Sequence, residues 1–165
     1  LFRSESAYLV GVMSISKNDY TKAKEYFEQA VNMYTDEEQK AKAYLMLALS
    51  CSGLKQYSAA RTYAYKYAAL KPGDGTPFIV IGDMYTQSAA SCGSDELTSR
   101  AANWAAVDKY MKAKAVDKSK EAEANQRIKS AASRFPKQEA IFFNGLNKGQ
   151  SYTVGCWIGE TTTVR

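Results

Sequence analysis

DYTKAKEYFEQA, Asp19 to Ala30, returns later in the chain as QYSAARTYAYKYA, Gln56 to Ala68. Tyr20, Ala23, Phe27 and Ala30 recur in frame as Tyr57, Ala60, Ala64 and Tyr67, a shift of 37 residues. A period of roughly 20 to 50 residues marks stacked supersecondary units, none of which buries its apolar face alone and each of which is covered by the next. The repeated stretch carries apolar residues three and four apart, the spacing of one helix face. The expected fold is therefore all-α, a stack of antiparallel helix hairpins. Large Phe27 and small Ala30 in the first copy become small Ala64 and large Tyr67 in the second. That exchange conserves buried volume, the kind of core change proteins tolerate best.

Working outward, the first hairpin occupies about Ser4 to Tyr34. Ala7, Val10, Gly11 and Ser14 give its first helix a small and apolar face, and Asp19 is placed to cap its second. The second hairpin runs from Asp36 to Leu70. Thr35-x-x-Glu38 reads as a capping box at its start, and Gly53 reads as a C-cap between its helices. Tyr44, Leu47, Ala48 and Cys51 take the places of Ala7, Val10, Gly11 and Ser14, and Pro72, Gly73 and Gly75 end the unit. A third hairpin follows Pro77, with Phe78, Ile81, Gly82 and Tyr85 on one helix and Ala106, Tyr110 and Ala113 on the other. It contains an insertion near 86–103, small and polar, which is either a partner-touching loop or a spacer.

The domain reading is then three hairpins in 1–118 (about 4–37, 41–74 and 75–118), capping helices in 119–148 and a tail in 149–165. Ser119 to Ser133 is helix-forming with a thin apolar stripe, suited to one wet face. Pro136 opens a short helix, about Lys137 to Leu146, expected to bury Ile141, Phe142 and Phe143. Ser151–Ile158 and Thr161–Val164 read as two short strands or an extended tail, which must lean on the helices or on another chain.

The chain has 165 residues, 45% apolar and 24% charged, which is a globular composition able to build a sizeable core. Its longest apolar run, Ala43 to Leu49, falls far short of the roughly 20 residues that span a bilayer. There is no histidine, so the commonest general base and transition-metal ligand are missing and a non-enzymatic role with no cofactor and no metal is expected. Asp36-Glu37-Glu38 and Asp95-Glu96 stand at expected helix starts, where dipole complementation accounts for them. The formal charge is +5, spread along helices. That pattern favours solvated faces over a nucleic-acid site, and polyanion binding is the second reading. The chain opens on Leu1 without a start methionine, as a trimmed piece of something longer would.

Cys51, Cys92 and Cys156 lack metal-type spacing, and an odd count allows at most one internal disulfide. Cys51 ends the first helix of the second hairpin and Cys92 lies just past the matching helix of the third. Stacking could bring them together, so in an oxidising compartment a Cys51–Cys92 bond is one reading, beside the default that both remain buried, inert thiols. Cys156 has no histidine to activate it as a nucleophile. Tyr63 and Tyr67 share a helix face and read as packing between repeats.

Ala7-Val10-Gly11 with Ala23-Phe27-Ala30, Tyr44-Leu47-Ala48 with Ala60 and Pro72, and Phe78-Ile81-Gly82-Tyr85 with Ala106-Tyr110-Ala113 resemble the tetratricopeptide repeat over about Ser4 to Lys118. Ser14 and Cys51 depart from it where an aromatic is usual. The whole chain is also similar to bacterial tetratricopeptide proteins ending in a phrase like FFNGL and SYTVG-WIGETTTVR, a resemblance that implies export to the cell envelope. The resemblance implies a right-handed superhelix whose first helices line a concave groove for a protein or peptide segment. By position that groove shows Tyr8, Val12 and Ile15, then Lys42, Leu45 and Leu49, then Ile79, Asp83 and Thr86. Val12, Leu49 and Asp83 stand where carboxylate-clamping relatives have asparagine, so an apolar segment fits better than a charged C-terminus. The occupant is either an external ligand or the protein's own N-terminal part or Tyr152–Val164 tail.

Overall fold

The computed structural model describes residues 2–165 and is built mainly of helices: α1 (Phe2–Ser16), α2 (Tyr20–Met33), α3 (Glu37–Gly53), α4 (Tyr57–Leu70), α5 (Thr76–Ser88), α6 (Ala102–Val116), α7 (Glu121–Ala132) and α8 (Gln138–Phe143). Two short strands, β1 (Ser151–Thr153) and β2 (Thr161–Thr163), close the chain. Residues up to Pro77 form one compact unit and Phe78–Arg165 form another. Among the described residues no helix is long and apolar enough to cross a membrane.

In the first unit each helix packs on its neighbour in sequence, α1 on α2, α2 on α3 and α3 on α4. The contacts are made where small residues admit large ones. A Cβ on Gly11 would lie 2.7 Å from the Phe27 ring, so glycine is required for α2 to approach α1 so closely. Ala23, Phe27 and Ala30, and in the next repeat Ala60 and Ala64, are completely buried, with Tyr67 nearly so. The size exchange read from the repeat is therefore a packing exchange. Asp19 caps α2 by accepting from the Lys22 amide at 3.1 Å.

Two local readings shift. The cap of α3 is Asp36, not Thr35, because Asp36 holds the extended backbone of a cap (φ −74°, ψ 128°) and accepts from the Gln39 amide at 2.9 Å. Gly53 is the last helical residue rather than a left-handed cap, and it is glycine because a Cβ would sit 2.6 Å from the Tyr20 ring.

In the second unit α5 meets α6 by the same device: a Cβ on Gly82 would lie 2.4 Å from the Tyr110 ring. Ala106, Tyr110 and Ala113 are buried, as are Ala124 and Ala131 on the one face of α7. The insertion does not float. It forms a 3₁₀ turn (Ala89–Cys92) and then sends Leu97 and Ala101 into a core shared with Trp104, Ile141 and Val164. On α8 only part of the expected apolar set is covered: Ile141 is 3% exposed, whereas Phe142 and Phe143 are 78% and 84% exposed. A helix of six residues seats one side, and these two rings lie off it.

The strands pair antiparallel, Ser151 with Thr163, Tyr152 with Thr162 and Thr153 with Thr161. So small a sheet is marginal alone, and here it leans on the helices. Tyr152 stands edge-on to Trp104 with ring centroids 5.5 Å apart, Thr162 donates to Asp108, and Arg165 pairs with the same carboxylate. Tyr85 donates to Glu160 at 2.7 Å, and the Trp157 indole donates to the Ser88 hydroxyl at 3.0 Å.

Cys51 and Cys92 are not bonded to each other, and only Cys51 keeps the default of a buried thiol. Cys92 bonds Cys156, with Cα atoms 5.3 Å apart across a separation of 64 residues. Cys51 is free and fully buried in the first unit, where burial pushes its thiol up and keeps it inert. The 3₁₀ turn after α5 carries Cys92 to the tail, so the bond staples insertion to tail.

Candidate functional site

Six of the nine groove positions belong to the first unit. On α1, Tyr8 is half-buried and set edge-on to Phe27 at 5.4 Å, with Tyr34 at 6.5 Å; burial pushes its hydroxyl up. Val12 is 37% exposed and Ile15 packs at the margin of the same core. On α3, Lys42 is exposed, Leu45 is half-buried and Leu49 is 39% exposed. Val12 and Leu49 are one repeat apart, as are Tyr8 and Leu45. α1 and α3 also touch directly. Two consecutive first helices thus offer equivalent aliphatic residues to solvent, beside one lysine.

The other three positions belong to the second unit, where Ile79 is buried and Asp83 and Thr86 are half-buried. Ile79 is buried at 4% exposure. Asp83 accepts from the Tyr110 hydroxyl and from Arg127 Nε, each at 2.8 Å, so its carboxylate ties α5 to α6 and α7. That bond raises the Arg127 guanidinium further. Burial, reinforced by the Asp83 charge, pushes the Tyr110 hydroxyl well above the usual tyrosine range. Thr86 donates to the Asp83 carbonyl at 2.9 Å. The tail is seated on Tyr85, Ser88, Trp104 and Asp108 of α5 and α6.

Within the second repeat of the first unit, Tyr44 of α3 and Tyr63 of α4 stack at 6.1 Å with 24° between their planes. The Lys66 ammonium lies 5.4 and 5.5 Å from the two ring centroids. Glu28 of α2 accepts from the Tyr63 hydroxyl at 3.4 Å, and burial together with the Glu28 charge pushes that hydroxyl up. Tyr63 therefore packs between repeats as its helix face implied. One surface escaped the sequence reading. Arg3, Ser6, Ala7 and Val10 of α1 with Tyr26, Gln29 and Met33 of α2 line a cleft of about 410 Å³. Its signal in the sequence is the same 37-residue shift, applied to the interface residues rather than to the groove.

α1–α2 and α3–α4 are two copies of one helix pair, offset by one repeat length. Residues 4–37 and 41–74 match the tetratricopeptide repeat. No curated protein matches the chain. The tandem tetratricopeptide matches cover the four helices of the first unit and stop before α5. Helical repeats of this kind are generally scaffolds for contact between proteins, typically without catalysis, because their recurrent residues serve packing and leave one curved face free.

Proposed function

We propose that the chain is a non-enzymatic adaptor that holds an apolar peptide or protein segment on the α1–α3 face of its tetratricopeptide repeats. The observation that carries this reading is the pair Val12 and Leu49, aliphatic side chains more than a third exposed at equivalent stations of consecutive first helices. Tyr8, Ile15 and Leu45 extend the apolar strip, and Lys42 supplies its positive charge. Fully burying one such aliphatic side chain in a complex is worth about 1.5–3 kcal/mol, and here part of that is still available. The Cys92–Cys156 bridge supports an oxidising compartment for the scaffold.

Leu45→Asp with Leu49→Asp is expected to abolish partner capture from native lysate while helicity by circular dichroism is unchanged. Capture that persists removes the groove from the mechanism. An apolar groove also predicts affinity nearly flat in salt, whereas polyanion binding through the net charge of +5 predicts a steep fall.

A further inference from the structure

In the first unit α2 sits on both helices of the following repeat. Its Glu28, Val31 and Asn32 face a wall made by Tyr44 and Leu47 of α3 with Tyr63 and Lys66 of α4. Moving that wall back by the repeat shift of 37 residues gives Ala7, Val10, Tyr26 and Gln29. These are the residues of the open cleft of about 410 Å³ on α1 and α2. Across the second copy of the wall stands α2; among the described residues no helix stands across the first.

Tyr26 and Tyr63 are alike half-buried and Ala7 is more buried than Tyr44, so the difference in burial lies along the faces of α1 and α3. Ala43 and Ser50 are fully buried, while their counterparts Ser6 and Met13 are exposed, Met13 to 58%. Met46 packs against the core, and its counterpart Leu9 is 60% exposed. Leu47 is 1% exposed, whereas Val10 is half-buried. The chemistry of the wall is retained: Tyr26 stands for Tyr63, Val10 for Leu47, Met33 for Leu70 and Arg3 for Lys40. The cleft is one more solenoid interface, complete on one side.

We propose that this cleft docks an amphipathic helix of another polypeptide whose face resembles that of α2. The helix would bring a carboxylate and, three and four residues on, a β-branched apolar residue and a small amide, the spacing of Glu28, Val31 and Asn32. The Tyr26 hydroxyl takes the carboxylate as Tyr63 takes Glu28, with Arg3 adding positive charge. Leu9, Met13 and Met33 then leave water. The surface differs from the α1–α3 strip, which contains none of the cleft residues, so the two readings fail separately.

The test uses a fluorescein-labelled synthetic peptide of residues 19–34, α2 with its cap, titrated with the full chain and read by anisotropy. Saturable one-to-one binding is expected. Val10→Asp and, separately, Tyr26→Ala should each weaken it by about tenfold or more, while Phe143→Ser, at an exposed position of the second unit, leaves it unchanged. Glu28→Lys in the peptide should weaken it as well. Absence of saturable binding overturns the proposal, as does binding indifferent to both cleft variants when their circular dichroism matches that of the unsubstituted chain. Self-association seen by sedimentation and abolished by Val10→Asp also overturns it, since the cleft then belongs to a second copy.

Discussion

Replacing Cys156 by serine removes the staple between the insertion and the tail and leaves every other tail contact in place. The bridge closes a loop of 64 residues. The chain-entropy relation for a loop of that size gives about 4 kcal/mol of stabilisation at 25 °C, all of it exerted on the unfolded chain. The native tail keeps Thr162 and Arg165 on Asp108, Trp157 on Ser88 and Tyr85 on Glu160, so the variant should fold and be less stable. Both tryptophans, Trp104 and Trp157, lie in the second unit, so urea unfolding followed by tryptophan fluorescence reports that unit alone. The midpoint should fall with little change in slope. Dithiothreitol should move the unsubstituted protein to the same midpoint and leave the variant where it is. Equal stabilities within about 1 kcal/mol would refute the reasoning. So would three titratable thiols in the unfolded, unreduced protein in place of one.

Further predictions concern alkaline stability and the last helix. Tyr8, Tyr34, Tyr63, Tyr110 and Tyr152 all hold their protons more tightly when folded, with burial the first cause in each. A group whose folded pKa is raised gives stability that is complete below the unfolded value, near pH 10, and lost above it. Each such tyrosine steepens the fall by up to about 1.4 kcal/mol per pH unit. Tyr110→Phe should flatten that fall in denaturation curves taken between about pH 9 and 11.5, and an unchanged slope would count against a buried Tyr110 hydroxyl. On α8, Ile141→Ala should cost about 2–5 kcal/mol. Phe142→Ser and Phe143→Ser should stay within about 0.5 kcal/mol of the parent protein in the same unfolding experiment. Large losses at Phe142 or Phe143 would mean that those rings are covered.

Much of the first unit was legible before any contact was known. Ala23 and Ala60 are fully buried second-helix stations because a 37-residue repeat forces equivalent residues into equivalent packing. Asp19 as a cap and Gly11 on a small helix face follow from local chemistry in the same way. The third pair was legible too, through Gly82 and Tyr110, although the tetratricopeptide match ends before it. The candidate groove was legible in register only. Register placed Val12 and Leu49 at exposed stations, but it assigned Asp83 to the same groove, where the carboxylate is taken by Arg127 from a helix 44 residues further on.

The sequence by itself determined the helix pairs, their offset and the residues each pair buries, since these depend on periodicity and on side-chain size within one or two repeats. Tertiary structure alone decided that Cys92 bonds Cys156 rather than Cys51, that the tail rests on Trp104 and Asp108, and that Leu47 is buried while its repeat counterpart Val10 is only half-buried. Partners distant in sequence meet only after the chain has closed the loops between them, and no local pattern encodes which of several compatible surfaces will be reached.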